Sequence, residues 1–524
     1  MRKINLLFSI LFITQIVFGQ GSKLLPTENV QIGKPYLYKN EKVKQYFSYE
    51  GGMLAVKASG GRVTIQTYDT DKLTLKKVKS FTNFPAGFVF EDCIELKGRF
   101  FLFYSNWDKN TNKQQLFARE IDLVNCDLKG EKSIFNIEGK IKRTPISSFA
   151  NKLYPRRFKI ITSLGKTNLA IIYIKSDVNS SGGIECLNVF DVDLNIKWEK
   201  EEWTISSSWP DYIIDSQESI YSFTDNYLSS NISKNINITK YDANLNWVSS
   251  LKTIKLRENT MGKGKVIEVD RVVMYSGGYT NFPKKSLTHN IKYNNKMNGI
   301  FYVDLTNWYK SSEIHYFDIP LKLINENISR VEINKNIKNE LEGEVIVGMG
   351  ELNPLKIERL KDGSLIFFRE ERSIKEHSNQ HGDLRPTFYY KYLLVSKVNK
   401  EGEHLWIKKL PRKFYSANKY ESTISFIQGN KNDYIVYIDN IKNLNPTSSI
   451  PLMQNGSDGY LSAFSINKET GNFKKVFLFE TKKINKLNIS DFKLSKIVSK
   501  TKGEFIFEVY KKKKEDVLIK VKLD

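Results

Sequence analysis

The sequence runs to 524 residues, with 81 Lys and Arg against 58 Asp and Glu, a formal charge of 81 − 58 = +23; 40% of residues are hydrophobic and 13% aromatic. That apolar content excludes a wholly disordered chain, and three cysteines exclude a disulfide-dense scaffold. The length leaves room for several domains or for one large repeat architecture.

Residues 1–20, MRKINLLFSILFITQIVFGQ, read as a leader. Arg2 and Lys3 form a positive start, Ile4 to Phe18 an apolar run, and Val17 and Gly19 a small-residue cleavage site before Gln20. The run is short for a membrane span, and an uncleaved anchor is the lesser reading. The expected mature chain is residues 20–524, exported to periplasm, outer surface or medium, with no transmembrane segment. Cys93, Cys126 and Cys186 lack C-x-x-C spacing, which argues against zinc. They read as small buried apolar residues, with one disulfide as the alternative.

An apolar run then recurs along the chain, each time after a short polar turn. It begins near Met53, Phe100, Leu169, Ile220, Val272, Leu365, Tyr434 and Phe505. Near-continuous apolar strands suit sheets covered on both faces. Each is followed by an alternating strand, an Asp, Asn or Gly turn and a further strand, clearest in 188–203, 238–251, 394–410 and 463–479. A preceding strand is visible at 92–98, 158–165, 265–270, 354–360 and 492–499. Four antiparallel strands (A to D) per unit, repeated around an axis, define an all-β fold, a β-propeller. Eight blades is the preferred count and seven the alternative, because the unit spacing is irregular. The last unit lacks a strand D, so an N-terminal strand near Lys34–Asn40 is expected to close the ring. The stretch 320–353 is the largest insertion and reads as a helix near 330–341 or an extra hairpin.

The turns Asp193, Asn195 and Trp198; Asp242, Asn244 and Trp247; and Gly402 with Trp406 resemble those of bacterial exported β-propellers of the quinoprotein-like repeat type. The resemblance implies the fold and no cofactor, and no coherent set of quinone or metal ligands is present. The three Trp read as blade-packing residues.

In such a ring the B–C and D–A connections open on one face and the A–B and C–D turns on the other. The long connections (136–157, 276–298, 320–353, 370–387 and 439–459) fall in the first class, so binding is expected there. The candidate binding residues are Trp107, Tyr154, Tyr279 and Phe282, read as exposed loop aromatics; Arg156 and Arg157, in a basic D–A connection; and His377 and His381, in the loop EHSNQHGD. No nucleophile elbow, phosphate loop or metal motif is found, and no catalytic residue is nominated. The preferred reading is an exported, non-enzymatic, monomeric propeller binding a protein, an anionic glycan or another envelope component through its long-loop face, without nucleic acid. The alternatives are a polysaccharide lyase or hydrolase with a site at the channel mouth, and a structural envelope protein.

Overall fold

The computed structural model describes residues 23–141, 157–176, 183–204, 210–223, 235–281, 296–343, 345–378, 384–416, 423–445, 448–454, 459–484, 487–491, 493–511 and 514–524. The leader lies outside them. Among the described residues no helix is long and apolar enough to cross a membrane.

The architecture is an eight-bladed β-propeller. Blade 1 takes strands Val43–Tyr49, Gly52–Ser59, Arg62–Asp69 and Thr74–Phe81, each antiparallel to the next. The same A–B–C–D order recurs in residues 89–138, 159–204, 211–255, 260–318, 351–410 and 425–480. Strand B is buried on both faces, as Gly52–Ser59 and Arg99–Asp108 illustrate. The reason is geometric: each blade's two faces pack on its two neighbours. Leu54, Val56 and Ile65 of blade 1 meet Phe100, Leu102 and Tyr104 of blade 2, and a comparable apolar cluster fills every interface around the ring.

The short C–D turns are built by their own side chains. Asp191 Oδ1 accepts the Asp193 and Asn195 amides at 2.9 and 2.8 Å, and Asp242 Oδ1 accepts that of Asn244 at 3.0 Å. The tryptophans beside these turns pack between blades, as expected. Trp198 of blade 3 stacks on Trp247 of blade 4 at 4.4 Å, and Trp406 of blade 6 donates to the Glu469 carbonyl of blade 7 at 3.0 Å.

Blade 8 uses Leu487–Asp491, Glu504–Lys511 and Glu515–Lys522, and its fourth strand comes from the N-terminal segment. Val30–Ile32 and Tyr36–Leu37 both pair antiparallel with Glu515–Lys522. The closing strand is thus longer than the Lys34–Asn40 expectation. Lys23–Leu24 runs on to pair, parallel, with the outer strand of blade 7. Strand A of blade 8 is interrupted, against expectation, by a turn at Leu494–Lys496 that drops Leu494 into the blade 7–8 core; a single bridge, Val498–Ile506, resumes the pairing.

Beneath this closure lies a buried polar lock. Lys57 of blade 1, fully buried, reaches Glu508 at 2.7 Å and Asp516 at 3.3 Å in blade 8. The hydroxyls of Tyr36, Tyr46 and Tyr68 all donate to the Glu508 carboxylate, at 2.7, 2.6 and 2.9 Å. Burial alone would raise that carboxyl; Lys57 and the tyrosine hydrogen bonds outweigh it and hold it at about 2. Burial and the neighbouring Glu508 push Asp516 up to about 6.

The cysteines are buried and unpaired. Burial raises the thiol of Cys93 well above its usual value and that of Cys186 to about 12.

Candidate functional site

The B–C and D–A face carries most of the chain's departures from the four-strand plan, and these cluster on blades 5 to 7. Between blades 5 and 6 the insertion holds two helices, α1 (Leu321–Ile324) and α2 (Arg330–Glu342). The α2 start follows from its sequence: Ser329 Oγ accepts the Glu332 amide at 3.2 Å, and the Glu332 carboxylate accepts the Ser329 amide at 3.0 Å. Gly343, at φ 66°, ends it.

Blade 6 is enlarged. Its strands B (Leu365–Ser378) and C (Leu384–Val398) run on as a hairpin arm, and Phe414–Ser416 adds a fifth strand beside the arm. The loop expected over 370–387 is therefore largely paired β-structure. The cause is alternation: Ile374, Phe388, Tyr390 and Phe414 form an apolar side of the arm. The other side carries Lys375, Tyr389 and Tyr415, with Tyr389 opposite both Ser373 and Tyr415. The two tyrosine rings lie 6.1 Å apart, and Lys375 Nζ sits 5.3 Å from the Tyr389 ring. Tyr415 is 38% exposed. Two positions along the same strands come Lys391 and Lys413.

The base of this arm holds four consecutive buried charges, Arg369, Glu370, Glu371 and Arg372. Glu370 pairs with Arg412 and accepts the Thr423 hydroxyl at 2.9 Å. Glu371 accepts the Gly350 amide at 2.7 Å, and Arg372 reaches Glu351 at 3.0 Å. Arg369 is 1% exposed and, among the described residues, meets no carboxylate; it donates to the Ser276 and Ser396 hydroxyls at 2.8 and 3.3 Å and lies 4.8 Å from the Phe367 ring. Burial lowers its guanidinium to about 9. Lys409 donates to the Ile324 and Glu326 carbonyls at 2.8 Å each, tying α1 to the blade; burial lowers it to about 8. The carboxylates here are thus engaged in holding the structure, whereas no hydrogen bond or ion pair joins the Lys296, Lys391 or Lys413 ammonium to any described residue.

A second polar cluster lies between blades 3 and 4. Lys159 Nζ donates to Asp211 at 3.2 Å and lies 4.9 Å from the Tyr212 ring. Glu185, 6% exposed, stands opposite Glu202 on the neighbouring strand. Burial and Glu202 raise its carboxyl to about 7, against the pull of Lys159. Its Oε1 and the Tyr212 hydroxyl are buried without a hydrogen bond.

The nominated residues fare unevenly. Tyr279 is not a loop residue. It sits in strand Val272–Asn281 and is fully buried, donating to Asp318 and accepting from Arg257 Nη2 at 2.9 Å. Trp107 too is a strand residue rather than a loop aromatic, next to last in Arg99–Asp108 and half-buried, with Lys140 Nζ 5.5 Å from its ring. The Arg157 amide donates to buried Glu91 at 3.0 Å. His377 is paired opposite Arg385 in the arm. Tyr154, Arg156, Phe282 and His381 lie outside the described residues. The arm's tyrosines and lysines were not nominated, because their shared face exists only once the strand register is known. Among the described residues no group of His, Cys, Asp and Glu could hold a metal ion.

No protein-family model and no curated protein matches the chain. Solved structures share the propeller fold. The Dos1 propeller gives a TM-score of 0.41 at 11% identity, over 94% of this chain and 95% of that one. The WD40 domain of SCAP from fission yeast gives 0.39 at 9%, over 96% and 97%. The polysaccharide lyase Uly1 gives 0.36 at 10%, over 83% and 90%. The likeness is one of fold, across diverse propeller proteins, and identifies no family.

Proposed function

We propose that the chain is an exported, non-enzymatic β-propeller of the quinoprotein-like repeat type, which binds an anionic glycan of the cell envelope or its surroundings through the elaborated face of blades 5 to 7. One observation carries this reading: the arm, the fifth strand and the helical insertion all stand in B–C or D–A connections of adjacent blades, while the A–B and C–D turns stay short. Additions of that kind on a rigid scaffold are where recognition concentrates. The net positive charge favours an acidic partner, and the leader sequence supports export. The test is titration of the purified chain with alginate, chondroitin sulfate and neutral laminarin by calorimetry. Binding of an acidic polymer that weakens with salt supports the proposal, and equal indifference to all three refutes it.

A specific observation also favours a second reading, catalysis between blades 3 and 4. A carboxyl raised to about 7 with an unbonded oxygen, near a half-buried lysine and a buried tyrosine, suits general acid–base work on a polysaccharide. Depolymerisation of an acidic polymer that Glu185→Gln abolishes would carry it; unchanged polymer length with wild-type protein would remove it.

A further inference from the structure

The blade 6 arm has one apolar and one wet side. On the wet side, Tyr389 and Tyr415 stand side by side across paired strands, their rings 6.1 Å apart and tilted by 34°. Lys375 flanks them toward the tip. Toward the base, Lys391 and Lys413 follow the Tyr390–Phe414 pair, the last of that ladder, by one residue on each side, and Lys391 acts on Lys413 as a nearby like charge. Lys296 is set beside the insertion by the mutual Met297–Met349 backbone hydrogen bonds at 2.8 Å, and Glu371 and Lys391 act on its ammonium in opposite senses.

Two carboxylates, Glu332 and Glu371, offset part of the charge of these lysines without forming an ion pair with them. Glu332 is bound into the α2 cap, through the Ser329 amide and hydroxyl at 3.0 and 2.8 Å. Glu371 holds the Gly350 amide at 2.7 Å. Burial lowers the proton affinity of Lys296 and Lys413; Glu371 leads the opposition at Lys296 and Glu332 at Lys413, each ahead of the further lowering by Lys391. The surface offers ammonium groups that form no ion pair with any described residue, beside two aromatic rings. Inorganic anions use only the first. A sugar ring uses both, laying its C–H face on the phenol while its acidic group meets an ammonium.

We propose that Tyr389, Tyr415, Lys391 and Lys413 form a subsite for an acidic polysaccharide, with the tyrosines as the ring platform and the lysines as carboxylate or sulfate contacts. This rests on the glycan-binding reading above and assigns it to named residues.

The test uses the full chain and three probes: alginate for carboxylate, chondroitin sulfate for sulfate, and inorganic polyphosphate for charge without a sugar ring. Tyr389→Ala with Tyr415→Ala is expected to weaken the preferred glycan about tenfold and to leave polyphosphate unchanged. Lys391→Gln with Lys413→Gln is expected to weaken glycan and polyphosphate alike and to flatten the salt dependence. Tm and circular dichroism confirm that each variant folds, and the apolar side of the arm is untouched by either pair. Wild-type glycan binding that survives both double variants overturns the subsite while leaving the broader reading standing. Wild-type indifference to both glycans overturns both. Polyphosphate binding as tight as glycan and unchanged in the tyrosine variant also overturns the subsite, because charge alone would then explain it.

Discussion

Replacing Lys57 by Met tests the lock under the ring closure. The substitution removes the cation 2.7 Å from Glu508 and leaves that carboxylate buried among three tyrosine hydroxyls and Asp516. Breaking a buried pair from one side costs about 3–5 kcal/mol. At about 2.1 cal/mol/K per residue over roughly 500 residues, the unfolding entropy is about 1 kcal/mol/K, so Tm should fall by about 3–5 °C. Adding Glu508→Gln to Lys57→Met removes the stranded charge, keeps an acceptor for the tyrosines, and should restore most of the loss. The acid limb gives a further signature. Glu508, held at about 2, contributes stability that is present above its unfolded value near 4.5 and is lost as pH falls toward 2. Asp516, raised to about 6, contributes in the opposite sense: its share is present below about 4 and is lost as pH rises through 6. Differential scanning calorimetry from pH 3 to 8 should place wild-type stability highest between these limits. A single variant with unchanged Tm, or a double variant no better than the single, would refute the argument.

Three other outcomes follow from buried groups. Glu185, raised to about 7, contributes stability that is present below about 4.5 and lost as pH rises through 7; Glu185→Gln should therefore gain on wild type at pH 8 relative to pH 5 in urea titrations, and an equal gap at both values would contradict this. Arg369 has no carboxylate to strand, so Arg369→Met should unfold at a urea midpoint no lower than wild type, whereas a loss above about 2 kcal/mol would show the guanidinium to be stabilising. A Cβ at Gly264 would lie 2.1 Å from the Ser276 carbonyl oxygen, so Gly264→Ala should cost about 1–3 kcal/mol by forcing the strand pair apart, measured by the same titration.

The ring was legible because its signals are local. Doubly buried B strands read as unbroken apolar runs, and Asp191 and Asp242 write their turns within a few residues. The helix after Ser329 was one of two open readings of its stretch, an extra hairpin being the other, because its apolar periodicity is weak; the cap that decides it joins Ser329 to Glu332. What failed was reading glycine as punctuation. Gly277 and Gly278, just before Tyr279, suggest a loop, yet both lie in a strand. A Cβ at Gly277 would fall 2.0 Å from the Lys263 carbonyl oxygen, and one at Gly278 would fall 2.3 Å from Met297 Sδ. These glycines allow close approach rather than a turn, so Tyr279 is a core residue. The arm was missed for the same kind of reason: Pro386 looks like a strand breaker but stands paired opposite Glu376. Buried Arg369 to Arg372 gave no signal at all, because charge predicts solvent unless partners scattered over Ser276, Glu351, Arg412 and Thr423 are known.

The eighth sheet is finished by residues from the opposite end of the chain; Asn29 donates to the Lys522 carbonyl across 493 positions. Joining two points so far apart costs about 5 kcal/mol of chain entropy by the logarithmic rule. Seven sheets can therefore condense in order as they are synthesised, while the first strand waits, its edge bare, for the last hairpin to exist. During that interval a neighbouring copy offers the same edge, so crowded refolding should favour exchanged strands, and dilution should favour the closed circle.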